Sequence, residues 1–140
     1  MKILAAVDGS AYTKRMLAYL MAHDEWLGAA HDYTVVHAVP AVPPRAAAAM
    51  DKADLQAYYD ETAEKVFKPI RSFLGKKKVR ADFVAKVGPA AEVIVQAATK
   101  GDHDLIILGS HGHGTFTSLV MGSVATKVLS QCTTPVLLIR

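Results

Sequence analysis

Short aliphatic runs, each halted by a turn-forming residue and separated from the next by a segment of helical period, constrain this chain more than any other feature. Ile3 to Val7 is cut off by Asp8-Gly9-Ser10, Tyr33 to Val39 ends at Pro40, and Asp104 to Leu108 halts at Gly109. Val136-Leu137-Leu138-Ile139 closes the sequence before Arg140. Runs that stay apolar rather than alternating suit strands buried on both faces, as in a parallel sheet. Val79 to Val87 alternates apolar with polar residues, adds a further strand, and stops at Gly88-Pro89.

The intervening segments read as helices. Met16, Leu17, Leu20 and Met21 recur at helical spacing behind Ser10, whose hydroxyl is placed to cap the first free backbone N–H groups. From Asp51 a long amphipathic helix carries Leu55, Tyr59, Ala63, Val66, Ile70 and Phe73 on one face, with Glu61–Lys65 and Glu64–Lys68 as i,i+4 pairs. Pro69 predicts a kink or a break there, the continuing hydrophobic period favouring a kink, because an interior proline removes a hydrogen bond. Pro89 suits the first turn of the next helix, and Gly101 suits a left-handed C-terminal cap. A last helix covers residues 123–131, while the Pro- and Ala-rich 40–50 segment reads as a mobile loop, a candidate lid or partner surface. Five strands alternating with four helices predict right-handed βαβ units in one α/β domain, an open parallel sheet with helices on both faces.

Composition narrows the function classes. With 140 residues, 51% hydrophobic and 21% charged, the chain has the profile of one globular domain, not of a disordered tail. A net charge of +3, with its one basic run at Lys76-Lys77-Lys78-Arg80, is thin for a nucleic-acid binder, so that run reads as a solvated loop. The apolar start is too short for a signal core or a membrane span, so a cytoplasmic location with no membrane and no nucleic-acid partner is expected. The single cysteine, Cys132, excludes an internal disulfide and reads as a small packed hydrophobe.

Ligands of open α/β sheets collect outside the carboxyl ends of the strands where the strand order reverses. Two such ends carry suggestive residues: Asp8-Gly9-Ser10, and Gly109-Ser110-His111-Gly112-His113-Gly114. Gly109 and Gly112 are spaced to let backbone approach a ribose and phosphates without an intervening Cβ. Gly122-Ser123 opens the last helix, whose free N–H groups and dipole favour an anion. Each piece also has a plainer reading: Asp8 as a turn former, the glycines as a tight loop, Ser123 as a cap. No G-x-x-x-x-G-K-[ST] or G-x-S-x-G string is present, His111 and His113 lack a nearby acid for zinc, and His37 reads as a core histidine.

Four motifs in order, Val7-Asp8-Gly9-Ser10, Gly109-Ser110-His111-Gly112, Gly122-Ser123-Val124 and Thr134-Pro135-Val136-Leu137-Leu138-Ile139, resemble the universal stress protein family across the whole chain. The G-x2-G-x9-G-S spacing is similar to that of its ATP-binding branch. The resemblance implies a sheet of order 3-2-1-4-5, of the adenine nucleotide alpha hydrolase-like type, with the crevice between strands one and four. It implies ATP as ligand, with Mg²⁺ or Mn²⁺ on the phosphates. Asp8 would serve the ribose or a metal-bound water, and Ala38 with Val39 would meet the adenine edge. Gly109, Gly112, Gly122, Ser123 and Val124 would serve ribose and phosphates, beside Ala6, Val7, Leu108 and His111. It also implies a homodimer through strand 136–139, an apolar edge otherwise exposed to aggregation. No general base stands out, so a signalling or stress-response binder is expected. A slow ATPase or nucleotide-transferring enzyme, or a structural dimer without nucleotide, are the alternatives.

Overall fold

In the computed structural model, which describes residues 1–114 and 120–140, every strand of one five-stranded sheet pairs in parallel. The strands are β1 (Lys2–Ala6), β2 (Asp32–Val39), β3 (Ala81–Val87), β4 (Leu105–Gly109) and β5 (Val136–Ile139), in the order β3-β2-β1-β4-β5. The helices are α1 (Ala11–Ala22), α2 (Asp24–Leu27), α3 (Pro44–Ala48), α4 (Lys52–Lys76), α5 (Ala90–Lys100) and α6 (Ser123–Gln131). In register, Ala6 lies between Val36 and Leu108, so the carboxyl ends of β1, β2 and β4 reach one level.

Strand alternation sorts the core into two layers. Ile3, Ala5, Val35 and Ile107 face one side, packing with Met16, Leu17 and Leu20 of α1 and Phe67, Ile70 and Leu74 of α4. Leu4, Val36, Ile106 and Leu108 face the other, packing with Val93, Ile94 and Ala98 of α5 and Ala125 and Val128 of α6. The helical period of the sequence thus delivers each apolar stripe to one face of the sheet. β5 lies at the edge, with Leu137 against the first layer and Val136, Leu138 and Cys132 against the second.

Several local expectations are corrected. Two one-turn helices, α2 and α3, add to the four expected, and α3 occupies part of the 40–50 loop, starting at Pro44. The helix through Pro69 is continuous from Lys52 to Lys76, so of the kink or break expected there the break does not occur. Gly101 is right-handed (φ −87°); the left-handed residue is Asp102 (φ 54°), and His103 N–H closes the cap on Ala98 O at 3.0 Å. α4 ends the same way, with Lys78 at φ 58° and Val79 N–H on Leu74 O at 3.0 Å. That cap buries Val79 below the start of β3, which begins at Ala81. Pro89 stands at the N-cap of α5, one place before its first turn. Glu64 pairs with Arg71, two turns on, at 2.6 Å, in place of Lys68. Arg71 in turn lies over the Phe83 ring at 4.8 Å. Lys77, Lys78 and Arg80 are exposed, as a solvated basic run requires. Among the described residues no helix is long and apolar enough to cross a membrane.

Candidate functional site

Where β1 ends, the chain must turn sharply into α1, and Asp8 organises that turn. Gly9 supplies the left-handed step (φ 77°). Asp8 Oδ1 accepts from Ser10 N–H at 2.9 Å and from the Thr13 hydroxyl at 3.0 Å. Thr13 Oγ1 accepts in return from Asp8 N–H and Gly9 N–H, at 3.1 and 3.2 Å. Ser10 holds the N-cap position, but its side chain makes no capping bond; its buried Oγ has no partner. The expected cap is thus replaced by the Asp8–Thr13 clasp. Beyond the last rung of β1, the Val7 carbonyl accepts from His37 Nδ1–H at 2.8 Å, while the His37 ring meets Phe67 edge-on. His37 is therefore a satisfied core histidine, and its hydrogen bond fixes the backbone that carries Asp8.

The β4 end is built by close approach. A Cβ at Gly109 would stand 2.6 Å from Tyr12 Cβ, and one at Gly122 would stand 2.8 Å from Ser110 O. One at Gly112 would stand 2.7 Å from Asp8 Oδ2. Real Cβ contacts are not this short, so Gly109 and Gly122 are demanded by the protein's own packing, while at Gly112 the end of the Asp8 side chain would have to shift. The sequence reading gave Gly109 and Gly112 to the approach of a ligand or to a tight loop; both positions also meet the protein's own atoms.

The loop that follows is pinned at several points. Ser110 N–H donates to Ile139 O and Gly122 N–H to Ser110 O, both at 2.8 Å, drawing the start of α6 against the β4 end. The His111 ring bridges the loop, with Nδ1 2.9 Å from Ser110 Oγ and Nε2 bonded to the Val120 carbonyl. An N–H must face a carbonyl, so Nε2 donates and Nδ1 accepts from the Ser110 hydroxyl. His113 Nε2–H donates to the Asp8 carbonyl at 2.7 Å, tying this loop to the β1 turn. The two imidazoles thus hold backbone rather than converge on a metal. Among the described residues no group of three His, Cys, Asp or Glu side chains is placed to bind one.

These elements enclose a cavity of about 260 Å³ at the carboxyl ends of β1, β2 and β4. Ala6, Val7, Asp8, Ala38, Leu108, Gly109, His111, Gly112, Gly122, Ser123 and Val124 line it, so the expected residues meet in one crevice. Val39 does not; it is 1% exposed, inside the first core layer. No residue of the 40–50 segment lines the cavity, and Val42 N–H is tied instead to Tyr59 Oη at 3.0 Å. The sequence reading did not single out Tyr12, Thr13, Val36 or Ile94 as lining residues. Thr13 was the legible one among them, a hydroxyl one turn into the helix that follows an aspartate.

Val36, Ala38, Ile94 and Leu108 give the lining an apolar part, and Asp8, the 109–114 glycine loop and the start of α6 give it a polar one. The first bond of that helix runs from Thr126 N–H to Gly122 O at 3.0 Å, so the N–H groups of Ser123, Val124 and Ala125 precede its ladder. An apolar slot beside amide donors, a carboxylate and a helix N-terminus can take a flat ring at one end and an anion at the other.

Comparison with known proteins agrees with this fold. A universal stress protein of Thermus aquaticus is 37% identical over 138 residues, covering 99% of this chain and 97% of that one. The structure of universal stress protein UspA from Lactobacillus plantarum superposes with a TM-score of 0.77 at 18% identity, covering 100% of this chain and 97% of that one. The universal stress protein of Archaeoglobus fulgidus in complex with dAMP gives 0.69 at 22% identity, covering 100% and 98%. At such identities the two structures show a shared fold. The family's sequence profile matches residues 1–140, and on that match, with the 3-2-1-4-5 sheet, this chain belongs to the universal stress protein family.

Proposed function

We propose that this chain is a stress-response module that binds an adenine nucleotide in the cavity between β1 and β4. The observation that supports the reading is the meeting, in one crevice, of the Asp8 turn, the 109–114 loop and the α6 N-terminus beside an apolar slot. In this reading the adenine lies against Val36, Ile94 and Leu108, with its edge on the Ala38 backbone. Asp8 Oδ2, the oxygen outside the Thr13 clasp, serves the ribose. The phosphates lie over Gly109, Gly112, Gly122, Ser123 and Val124, where amide donors and the helix dipole favour them. The dAMP-bound relative from Archaeoglobus fulgidus is consistent with a nucleotide here.

ATP is the ligand that the ATP-branch spacing favours. Asp8 is the one carboxylate among the described lining residues, so Mg²⁺ or Mn²⁺ would arrive on the phosphates rather than on a protein-built cage. The protein acts as a cytoplasmic homodimer joined through strand 136–139, whose edge position and apolar faces support that role.

Calorimetric titration of AMP and ATP into the wild type and Gly122→Val tests the site. The valine would press on Ser110 O, which lies 2.8 Å from the Cβ position, and on His111 Cα at 3.2 Å. At least tenfold weaker binding is expected; equal affinity in both proteins would contradict the assignment.

A further inference from the structure

We propose that the open edge of β3 docks an acidic, extended polypeptide segment, which adds to the sheet as a sixth strand. This edge lies at the side of the sheet opposite β5, and no residue of β3 lines the nucleotide cavity.

Two features meet there, and the first is a free backbone edge. β3 pairs on one side, with β2, and among the described residues no strand pairs with its other side. Gly88 N–H, just past the end of β3, donates to Val39 O at 3.0 Å. By strand alternation Asp82, Val84 and Lys86 therefore turn their backbone groups to β2, while Ala81, Phe83, Ala85 and Val87 turn theirs outward. Ala85 and Lys86 are exposed and Val87 is 44% exposed, so the second half of the strand is uncovered. Its seven residues present an edge about 20 Å long.

The second feature is charge. Eight of the sixteen Lys and Arg residues fall between Lys65 and Lys86, where Asp82 is the one acid. The whole chain carries only +3, so the rest of it is net acidic. All eight cations are exposed. The run Lys76-Lys77-Lys78-Arg80 leads into the strand, Lys86 stands near its end, and Arg71 of α4 lies over the Phe83 ring at 4.8 Å. Among the described residues, only Arg71 of the eight has a carboxylate within ion-pair distance.

Together these features select the occupant. Cations along an edge strand repel a second copy of the same edge, unlike β5, whose four residues Val136 to Ile139 carry no charge. A nucleic acid would meet the cations but leave the outward amides and carbonyls of β3 unused. The strand's one aromatic ring, Phe83, is already taken up by Arg71 and by Phe67, which meets it edge-on at 5.2 Å, so it is no stacking platform for bases. An extended acidic segment uses both features: its backbone completes the ladder, and its carboxylates reach the flanking cations.

The test is fluorescence anisotropy with a labelled peptide of about ten residues in which glutamate alternates with threonine and valine. Saturable binding is expected, at least fivefold weaker in high salt than in low. The same peptide with alternate backbone nitrogens methylated keeps the charge and loses the ladder, and should bind at least fivefold more weakly. Lys77→Glu combined with Arg80→Glu should weaken binding of the unmethylated peptide at least tenfold. Ala85→Pro removes an outward N–H, on the side where an edge strand tolerates proline, and should weaken it at least fivefold. Hydrogen exchange of the wild type reads the same contact without a substitution: the peptide should slow the amides of Phe83, Ala85 and Val87. No saturable binding, affinity indifferent to N-methylation, or unchanged exchange at those amides would overturn the proposal. So would a single-stranded DNA of similar length bound as tightly as the peptide.

Discussion

Asp8 and Gly112 lie so close that a Cβ on the glycine would stand 2.7 Å from Asp8 Oδ2. The β1 turn and the β4 loop are therefore one fitted unit, reinforced by the hydrogen bond from His113 Nε2 to the Asp8 carbonyl. Gly112→Ala is expected to displace the end of the Asp8 side chain, lowering stability only modestly, and to weaken nucleotide binding. The two changes Gly112→Ala and Asp8→Ala should be non-additive in chemical denaturation, because the second removes the oxygen that the first collides with. Additive losses would mean that the two residues do not meet.

The clasp around Asp8 predicts a second effect. Thr13 Oγ1 serves three hydrogen bonds in the β1–α1 turn. Thr13→Val keeps the shape and removes them all, and should destabilise by about 2 kcal/mol, since buried donors and the carboxylate lose partners. Thr13→Ser should recover most of that loss in thermal unfolding. A valine variant as stable as the wild type would remove the clasp from the account.

Tyr33 predicts an alkaline transition. Its buried hydroxyl donates to the Leu27 and Gly28 carbonyls, and burial pushes its pKa from 10.0 up to about 12. The folded state thus keeps a proton that the unfolded chain releases earlier. The stabilisation is complete below pH 10 and disappears as pH rises towards 12, a difference on the order of 2 kcal/mol. Tyr33→Phe should lower stability at neutral pH and flatten the decline between those values. Urea midpoints measured against pH would show it, and parallel curves for the two proteins would contradict it.

Lys78 and Asp102 occupy left-handed C-terminal cap positions, at φ 58° and 54°. A side chain there costs about 1 kcal/mol that glycine avoids. Lys78→Gly and Asp102→Gly should each raise the unfolding midpoint modestly and independently. A lowered midpoint would indicate that these side chains contribute something beyond the cap.

Why the sheet was legible and the caps were not follows from how many residues carry each signal. Ile106-Ile107-Leu108 and Val136 to Ile139 leave little alternative to buried parallel strands, and their order followed from the motif resemblance. A cap depends on one backbone angle. Gly101 looked like the left-handed residue, but the reversal fell on Asp102, one place later, where His103 could reach Ala98. Glu64 had Lys68 at ideal spacing and instead met Arg71, whose planar fork takes both carboxylate oxygens at 2.6 and 3.3 Å. The site's backbone was readable from Asp8, Gly109, Gly112 and Gly122, yet the atoms filling the glycine spaces, Tyr12 and the Ser110 carbonyl, are long-range contacts that no local spacing encodes.

The most direct test of a nucleotide in the β1–β4 crevice is backbone amide NMR during titration with AMP. The account predicts saturable shifts at Asp8, Ala38, Gly109 to Gly112 and Ser123 to Ala125. The opposite end of the sheet, around Lys2, Asp32 and Asp82, should stay still. No saturable change, or changes centred on that opposite end, would contradict it.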